Sequence, residues 1–516
     1  MPSTKMLGLL KATLCAVVVL LVLSGLAVAK TGTGEVRAAE TTAANSGWLH
    51  TDGGTIRDAA NNPYVIKSTS WFGLETPECA PHGLWTINLA EGIRQIKDMG
   101  FNTIRLPYSN ECITTGETSS IDYSANPDLL GKAPLEVMDA VIAVAKANGL
   151  NVILDRHRPD SGSQSELWYT PTYSEETWIA DWARLADRYK NNPTVIGVDL
   201  HNEPRGAACW GCGNPATDWQ AAATRAGNTV LSINPNLLII VEGIENESDG
   251  TATWWGSGLK GVATHPIGLD VDHRVVYSPH DYPGSVYPQK WFSAPDYPVN
   301  LPGVWDTNWG YIARQGIAPV LLGEFGTKLE TTSDKQWLDQ MVKYLDSTGI
   351  SYSYWSYNPN SGDTGGLIKD NWRTPETSKL TALAFLLQEP SVTQPTKQVT
   401  TDSTTPPSPT TPPRTAQTAN SMQWVPEASW ETGYVASIKV TADEDLERWS
   451  VKWDDPNATA VANAWGMTCT AVPKESITCV GADWASTLNQ GQTVTVGLQV
   501  DSSNMPTDPP LTTTVD

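Results

Sequence analysis

Short apolar runs alternate with longer amphipathic segments between residues 45 and 388. Eight runs have the length and composition of buried strands: YVIKSTSWFG, FNTIRLPY, NVILDRHRP, VIGVDLHNEP, LIIVEG, RVVYSPHDY, APVLLGEFG and SYSYWSYN. Between them lie segments such as APLEVMDAVIAVAKANG and SEETWIADWARLADRYK, in which apolar residues recur at helical spacing. Eight repeats of strand and helix predict an α/β fold, a (β/α)8 TIM barrel with a parallel sheet.

The pattern changes twice after this segment. Residues 389–420 are dominated by Thr and Pro and contain almost no large apolar residue, which is typical of an extended, semi-rigid linker. In residues 421–516, stretches such as GQTVTVGLQVDSS alternate apolar and polar positions with a period of two. This alternation predicts a small, all-β sandwich domain.

The N-terminus has the pattern of an export signal. Lys5 and Lys11 precede an apolar run from Ala12 to Ala29 that ends in small residues. We expect residues 1–29 to be a signal peptide and the protein to be secreted into the extracellular space. The run is also long enough for the alternative, an uncleaved membrane anchor.

The amino-acid composition limits the kinds of molecule that the protein could bind. The formal net charge of −22 and the pI near 4.7 argue against binding to DNA or RNA, because the phosphates would be repelled. The chain has 22 Trp and only 5 Phe, and the flat face of Trp suits stacking on sugar rings. No protein partner is implied, and we expect a monomer.

Six cysteines lie beyond the apolar N-terminal run, and an even number in an exported chain predicts disulfides. The CWGC spacing could instead mark a redox or zinc site, but no second Cys pair or nearby His accompanies it. The expected pairs are Cys209–Cys212, Cys469–Cys479 and, by elimination, Cys79–Cys112.

Two carboxylates end apolar strands and carry the predicted chemistry. Glu203 ends the fourth run and Glu324 the seventh, so both should meet at the mouth of a barrel. Two facing carboxyl groups with different pKa values can hydrolyse a glycosidic bond without a cofactor. Either Glu could instead be a structural ion-pair partner, and Asp155 and Asp199 should be structural hydrogen-bond acceptors. No metal site is expected, because no ligand cluster with suitable spacing is visible.

Six blocks together resemble the family 5 glycoside hydrolases, especially their bacterial endo-β-1,4-glucanases. They are NTIRLPYS, LDRHRPD, DLHNEP, YSPHDY, LLGEFG and YWSYNPNSGDTGGL, in the order of that family and within residues 45–388. The resemblance implies that Glu203 is the general acid/base and Glu324 the nucleophile. Arg105 matches the arginine near the nucleophile, where a fixed positive charge would keep Glu324 ionised. Asn202 matches the residue that hydrogen-bonds the sugar 2-hydroxyl.

Four further side chains match supporting positions of the family. His157 matches the substrate-binding histidine, His280 the neighbour of the acid/base, Tyr282 the residue that orients the nucleophile, and Trp355 the aromatic platform under the sugar. Each could also be a packing residue of the core. Further aromatic candidates, for which packing is an equal alternative to sugar stacking, are Trp71, Trp255, Tyr287 and Trp291.

The C-terminal segment resembles a family 2 carbohydrate-binding module. Trp430, Trp465 and Trp484 fall at the positions of that family's exposed, cellulose-binding aromatic strip, whereas Trp449 matches a core residue. The segment departs from that family in lacking a Cys near each end, and the expected Cys469–Cys479 bond would cross-link it at a different place. A generic sandwich with all three Trp buried is the alternative.

Taken together, these features predict a secreted endo-β-1,4-glucanase that acts on cellulose or a related β-glucan. A retaining mechanism requires the carboxyl groups about 5–5.5 Å apart, against about 6.5–9.5 Å for an inverting enzyme. The alternatives are a hydrolase of another β-glycan, such as mannan or xyloglucan, and a non-catalytic polysaccharide-binding protein. The second is disfavoured, because a pure binder needs no pair of carboxylates.

Overall fold

The computed structural model describes two compact units, divided between residues 394 and 395. The predicted signal peptide, the alternative membrane anchor and the predicted linker lie outside the described residues. None of the helices in the described part of the chain is both long and apolar enough to cross a membrane. The described ranges are 47–115, 117–387, 421–430, 432–482, 485–488, 490, 492–507 and 509–515.

The first unit contains an antiparallel hairpin, β1 (His50–Asp52) and β2 (Thr55–Arg57), followed by a parallel sheet of nine strands in the order β8-β7-β6-β5-β4-β3-β11-β10-β9. A parallel bridge between Tyr277 and Val320 brings β8 back towards β10, so the sheet nearly closes into the predicted barrel. The strands are β3 (Lys67–Ser70), β4 (Thr103–Ser109), β5 (Asn151–Arg158), β6 (Val195–Asp199), β7 (Leu238–Glu242), β8 (Val275–Ser278), β9 (His280–Asp281), β10 (Leu321–Phe325) and β11 (Ser351–Tyr354).

All eight predicted runs contribute strands to this sheet. The sixth run contributes two, β8 and β9, because Pro279 interrupts it and proline has no N–H to donate to a neighbouring strand. The prediction of a (β/α)8 barrel is confirmed, with this one strand broken in two.

Helices cover the outside of the sheet, as the alternating pattern predicted. The two quoted amphipathic segments form α3 and α4, and α4 begins after Ser174, whose hydroxyl accepts a hydrogen bond from the N–H of Thr177. The helices are α1 (Leu89–Asp98), α2 (Asn110–Thr115), α3 (Pro134–Ala147), α4 (Glu175–Arg188), α5 (Trp219–Ile233), α6 (Leu301–Trp305), α7 (Tyr311–Arg314), α8 (Thr332–Thr348), α9 (Thr377–Ala382) and α10 (Ala384–Leu387), with 3₁₀ turns at Pro127–Leu129, Lys260–Ala263 and Lys290–Ser293 and a π-helical turn at Asp306–Gly310.

The interior of the barrel is apolar at one end and polar at the other. Ile153, Ile196 and Leu321, near the starts of their strands, pack in a cluster with Leu49 and Ile56 of the hairpin region. The hairpin region therefore covers the end where the strands begin. The polar and charged side chains lie where the strands end, as expected for an α/β barrel with its site at that face.

The second unit consists of two antiparallel four-stranded sheets, which confirms the predicted β-sandwich. Trp449 is buried in its core, as the resemblance implied. Trp430 and Trp465 lie at the ends of β12 and β15, and Trp484 falls outside the described residues. The sheets are β12-β13-β18-β15 and β16-β17-β14-β19, from strands β12 (Ser421–Trp430), β13 (Gly433–Thr441), β14 (Trp449–Asp454), β15 (Ala458–Trp465), β16 (Met467–Val472), β17 (Ser476–Gly481), β18 (Thr493–Ser502) and β19 (Thr512–Val515).

All three predicted disulfides are present. In the C-terminal unit the bond joins directly opposed residues of β16 and β17. In the barrel unit, one bond spans 33 residues from the loop after β3 to α2, and the other closes a loop of three. The pairs are Cys79–Cys112, Cys209–Cys212 and Cys469–Cys479.

Candidate active site

The two predicted carboxylates meet at the ends of the strands. Glu324 lies within β10, and Glu203 lies in the loop directly after β6. One carboxyl oxygen of each, together with a ring nitrogen of His280, lies within 4.8 Å of the others. The barrel therefore brings together residues that are 121 positions apart in the sequence, counted from 203 to 324.

Glu324 is held at both carboxyl oxygens. Arg105 donates from Nη1 to Oε1 at 2.6 Å, and the Tyr282 hydroxyl donates to Oε2 at 2.6 Å. His280 Nδ1 lies 3.5 Å from Oε2. Ordinary rotation of the carboxyl group would break these contacts, so the side chain is fixed in direction, as a nucleophile requires.

Glu203 is almost buried, with 9% of the residue exposed, and its backbone has a φ of 55°. Its Oε1 lies 3.1 Å from His280 Nδ1. Burial alone would raise the pKa of Glu203, but the hydrogen bond and charge of His280 outweigh burial and lower that pKa. The resemblance implied that Glu203 is the general acid/base, which must hold a proton when it acts as the acid. The pKa of Glu203 is lowered and that of His280 is raised, and these opposite shifts favour the proton on His280.

Arg105 connects the site to the barrel strands. Its side chain is fully buried in β4, and burial alone would lower its pKa, yet the surrounding carboxylates raise it well above the usual range. The guanidinium is therefore a permanent positive charge. Its hydrogen-bonding and ionic partners are Asp155, Asp199, Asn202, Glu242 and Glu324.

Asp155 and Asp199 have the structural role that the sequence predicted. Both are fully buried and accept contacts from Arg105, at 3.2 and 3.0 Å. Burial raises the pKa of each to about 7, against the opposing effect of Arg105.

Asn202 is buried directly before Glu203, and Arg105 Nη2 donates to its Oδ1 at 3.0 Å. This bond fixes the amide so that Oδ1 faces the guanidinium. Nδ2 has no hydrogen-bond partner among the described residues. A buried amide donor without a partner is costly, and a hydroxyl of a bound sugar would satisfy it.

His157 and Trp355 form a parallel stack with ring centroids 5.1 Å apart. Asp155 lies 2.7 Å from His157 Nδ1, and Gln164 lies 3.3 Å from Nε2. Burial lowers the pKa of His157 to about 4, so the ring is neutral at neutral pH. Trp355 is partly exposed and also stacks against Phe72, and it remains accessible to a ligand.

The other aromatic candidates differ in exposure. Trp71 is completely buried and donates its indole N–H to a backbone carbonyl, so the sugar-stacking alternative is wrong for it. Trp291 is partly buried against Trp254. Trp255 is 46% exposed, with the guanidinium of Arg205 4.0 Å from its ring centroid. Two more exposed aromatic rings are Tyr287 and Trp85, of which the sequence argument missed Trp85.

The sequence argument also missed Glu242, at the end of β7. This side chain is fully buried and contacts Arg105, His280 and the backbone N–H of Glu203. The available signal was the LIIVEG run, which ends an apolar strand in a Glu in the same way as the fourth and seventh runs.

A metal ion is disfavoured where Glu203 and Glu324 meet. In the described part of the chain, Glu203, His280 and Glu324 are the one group of three or more His, Cys, Asp and Glu side chains close enough to share an ion. However, Arg105 and Tyr282 already occupy both oxygens of Glu324, and the fixed charge of Arg105 opposes a cation.

Comparison with known proteins gives family matches for both units. The model of the cellulase family, glycosyl hydrolase family 5, matches residues 58–361, and that of the cellulose binding domain matches residues 420–515. An endoglucanase of Paenibacillus polymyxa is 51% identical over 347 residues, which cover 66% of this chain and 87% of that protein. The major extracellular endoglucanase of Xanthomonas campestris pv. campestris is 43% identical over 338 residues, 64% of this chain and 69% of that protein.

Solved structures agree with these matches. The catalytic domain of the Xanthomonas campestris enzyme superimposes with a TM-score of 0.63 at 41% identity, covering 66% of this chain and 99% of that domain. An endocellulase from Pyrococcus horikoshii in complex with cellotetraose gives a TM-score of 0.63 at 36% identity, covering 67% of this chain and all of that one. The similarity therefore extends over the barrel unit as a whole.

Proposed function

The chain belongs to glycosyl hydrolase family 5 and carries a C-terminal cellulose binding domain, and from this premise we propose that it is a secreted endo-β-1,4-glucanase. It hydrolyses internal β-1,4-glucosidic bonds of cellulose with net retention of configuration. The observation that carries the proposal is the approach of Glu203 and Glu324, whose carboxyl oxygens lie within 4.8 Å. This close approach supports the shorter separation of a retaining enzyme, about 5–5.5 Å, over the longer one with which an inverting enzyme accommodates a water.

In the proposed first step, Glu324 attacks the anomeric carbon while the leaving oxygen takes a proton from Glu203. The proton on His280 Nδ1 moves to Glu203 Oε1, 3.1 Å away, when Glu203 acts as the acid. The bond to the leaving oxygen breaks, and a covalent glycosyl–enzyme ester forms. As the negative charge of Glu324 is lost, less charge remains to hold the proton on His280.

In the second step, Glu203 takes a proton from water, and the resulting hydroxide equivalent attacks the same carbon. Glu324 leaves as a carboxylate, which Arg105 and Tyr282 stabilise at its two oxygens. Asn202 Nδ2 is available to donate to the sugar 2-hydroxyl, a contact that can strengthen in the transition state.

The remaining expectations concern the organisation of the whole chain. We propose a signal peptide at 1–29, a catalytic domain at 45–388, a linker at 389–420 and a cellulose-binding module at 421–516. The extracellular endoglucanase among the relatives supports secretion. Tethering to the solid substrate raises the local concentration of the barrel at its surface. We further propose that the enzyme is a monomer.

Product analysis on several polysaccharides tests this function. The mature protein should release short oligosaccharides from carboxymethyl-cellulose, with lower rates on mannan, xylan and xyloglucan. Glu324→Gln should abolish this release, while Glu330→Gln, a matched change at an exposed position after β10, should leave it intact. A preference for mannan or xyloglucan would overturn the substrate assignment. An active Glu324→Gln variant would overturn the nucleophile assignment.

A further inference from the structure

The buried carboxyl group of Glu242 contacts both Glu203 and the arginine that holds Glu324. Its Oε1 accepts from Arg105 Nη2 at 3.2 Å, and the same Arg105 holds Glu324. Its Oε2 accepts from the backbone N–H of Glu203 at 2.7 Å. Since Glu242 is completely buried, it does not reach a bound substrate. Its influence on the reaction must pass through its neighbours.

The first such influence is on the backbone of Glu203. A φ of 55° lies in the left-handed region, which costs a non-glycine residue free energy unless the surroundings hold it. The bond from Glu203 N–H to Glu242 is one such restraint. Gly256 packs behind it, where a Cβ would lie 2.4 Å from Glu242 Oε2 and 3.2 Å from Glu203 Cα. The carboxylate of Glu242 therefore sets the direction in which the Glu203 side chain leaves the backbone.

The second influence is on a proton. His280 lies between two glutamates, with Nδ1 3.1 Å from Glu203 and Nε2 3.2 Å from Glu242, the latter a close charge contact outside regular hydrogen-bond geometry. Burial alone would lower the pKa of His280, but Glu242 and Glu324 outweigh burial and raise it well above its usual value. Burial also raises the pKa of Glu242, so one proton is held between the two groups. Two donors face Glu242, Arg105 Nη2 at its Oε1 and the Glu203 N–H at its Oε2, and both favour the ionised carboxylate, with the proton on the imidazole.

We propose that Glu242 is a positioning residue of the hydrolase, which fixes the direction of Glu203 and holds on His280 the proton that Glu203 delivers. This inference rests on the proposed function. The proton moves between His280 Nδ1 and Glu203 Oε1, and Glu242 stays a carboxylate throughout. No other group is oxidised, reduced or consumed.

The direction in which Glu242→Gln shifts the release of the proton follows from the charges on the neighbouring groups. With Glu242 ionised, loss of the shared proton leaves two negative charges on the chain formed by Glu203, His280 and Glu242. With Gln at this position, the same loss leaves only one. The proton is therefore released at lower pH in the variant, by about one pH unit or more. The other charged or titratable groups that face this chain are Arg105 on β4, Asp155 and His157 on β5, Asp199 on β6, Arg205 after β6, Tyr282 after β9 and Glu324 on β10.

The test is the pH profile of kcat/KM on a soluble cello-oligosaccharide for the full chain. Glu242→Gln should move the alkaline limb down by about one unit or more, with KM within about twofold of the wild type. Glu242→Asp keeps the charge but draws it back from the Glu203 N–H. It should lower kcat about 100-fold while the alkaline limb stays in place. The control is Glu247→Gln, another buried glutamate in the loop after β7, which binds the backbone N–H of Lys260.

If folded Glu242→Gln has the same alkaline limb as the wild type, the inference is overturned, even if kcat is lower. A loss of packing alone would lower kcat without shifting the pH at which kcat/KM falls. If the variants fail to fold, ¹⁵N NMR spectra of the histidine-labelled wild-type protein test the inference instead. Both ring nitrogens of His280 should be protonated at pH 7, and a singly protonated ring overturns the inference. Failure of the proposed function would appear in the wild type as absence of cellulose hydrolysis. Failure of this inference would appear only in the comparison of variants.

Discussion

The hydroxyl of Tyr282 donates a 2.6 Å hydrogen bond to the Oε2 of Glu324, the oxygen that Arg105 leaves free. Burial and the charge of Glu324 raise the pKa of Tyr282 well above its usual value, so the hydroxyl remains a donor at neutral pH. The pair thus holds the proposed nucleophile in one direction without removing its charge.

Tyr282→Phe should lower kcat by about 10- to 100-fold. The reason is the loss of one hydrogen bond to a charged group, worth about 1.5–3 kcal/mol. Steady-state kinetics on a soluble cello-oligosaccharide measure this change. Tyr287→Phe, at an exposed position, is the matched control and should have no effect on kcat. A Tyr282→Phe enzyme with wild-type kcat would contradict the proposed support of Glu324.

Replacement of Glu203 should separate acid catalysis from nucleophilic attack. Glu203→Ala should lower kcat on cello-oligosaccharides about 10²- to 10⁴-fold, because the leaving oxygen no longer receives a proton. A dinitrophenyl cellobioside, whose leaving group needs no proton, should still form the glycosyl–enzyme. Added azide should then release a β-glycosyl azide, identified by NMR. Formation of the α-anomer would exclude double displacement.

His157 should make the barrel sensitive to acid. Its pKa is about 4 in the folded protein and about 6.5 in an unfolded chain. Between these values only the unfolded state binds the proton, so stability falls as pH drops from 6.5 to 4, by up to about 3 kcal/mol. Calorimetry of the barrel transition in wild type and His157→Gln measures this. The variant should lose less stability over that range, and parallel losses would contradict the assignment.

The two disulfides of the barrel unit should contribute unequally. Cys79–Cys112 closes a loop of 33 residues between two buried side chains, and the Cys79→Ala, Cys112→Ala double variant should lose about 4 kcal/mol. Cys209–Cys212 spans three residues and serves as the comparison, with a smaller loss of about 2 kcal/mol. Thermal unfolding of each double variant measures its loss of stability. A larger loss for the variant without Cys209–Cys212 would contradict the prediction.

The C-terminal module should affect solid substrate only. Trp465→Ala should weaken retention on insoluble cellulose and slow its hydrolysis, while activity on a soluble cello-oligosaccharide stays unchanged. Pull-down isotherms measure the affinity. Lys452→Ala, an exposed change on the other sheet, is the control. Equal retention of Trp465→Ala and wild type would count against the aromatic strip.

The sequence determined the strands and the residues at their ends. Periodicity is a local property, so all eight runs of the barrel and the two amphipathic helices could be identified from neighbouring residues alone. Parallel strands end at the same face of a barrel, and this rule alone predicts that Glu203 and Glu324 lie together. The disulfides followed from the count and spacing of Cys.

Properties that depend on residues distant in the sequence arise only when the chain has folded. The burial of Trp71 and the hydrogen bonds of Glu242 involve contacts between separate elements. The lowered pKa of Glu203 depends on His280, which is 77 residues away along the chain. A carboxyl group at a strand end can be recognised in the sequence. Where its proton rests is set by the balance of burial and neighbouring charge, which exists only after the strands have come together.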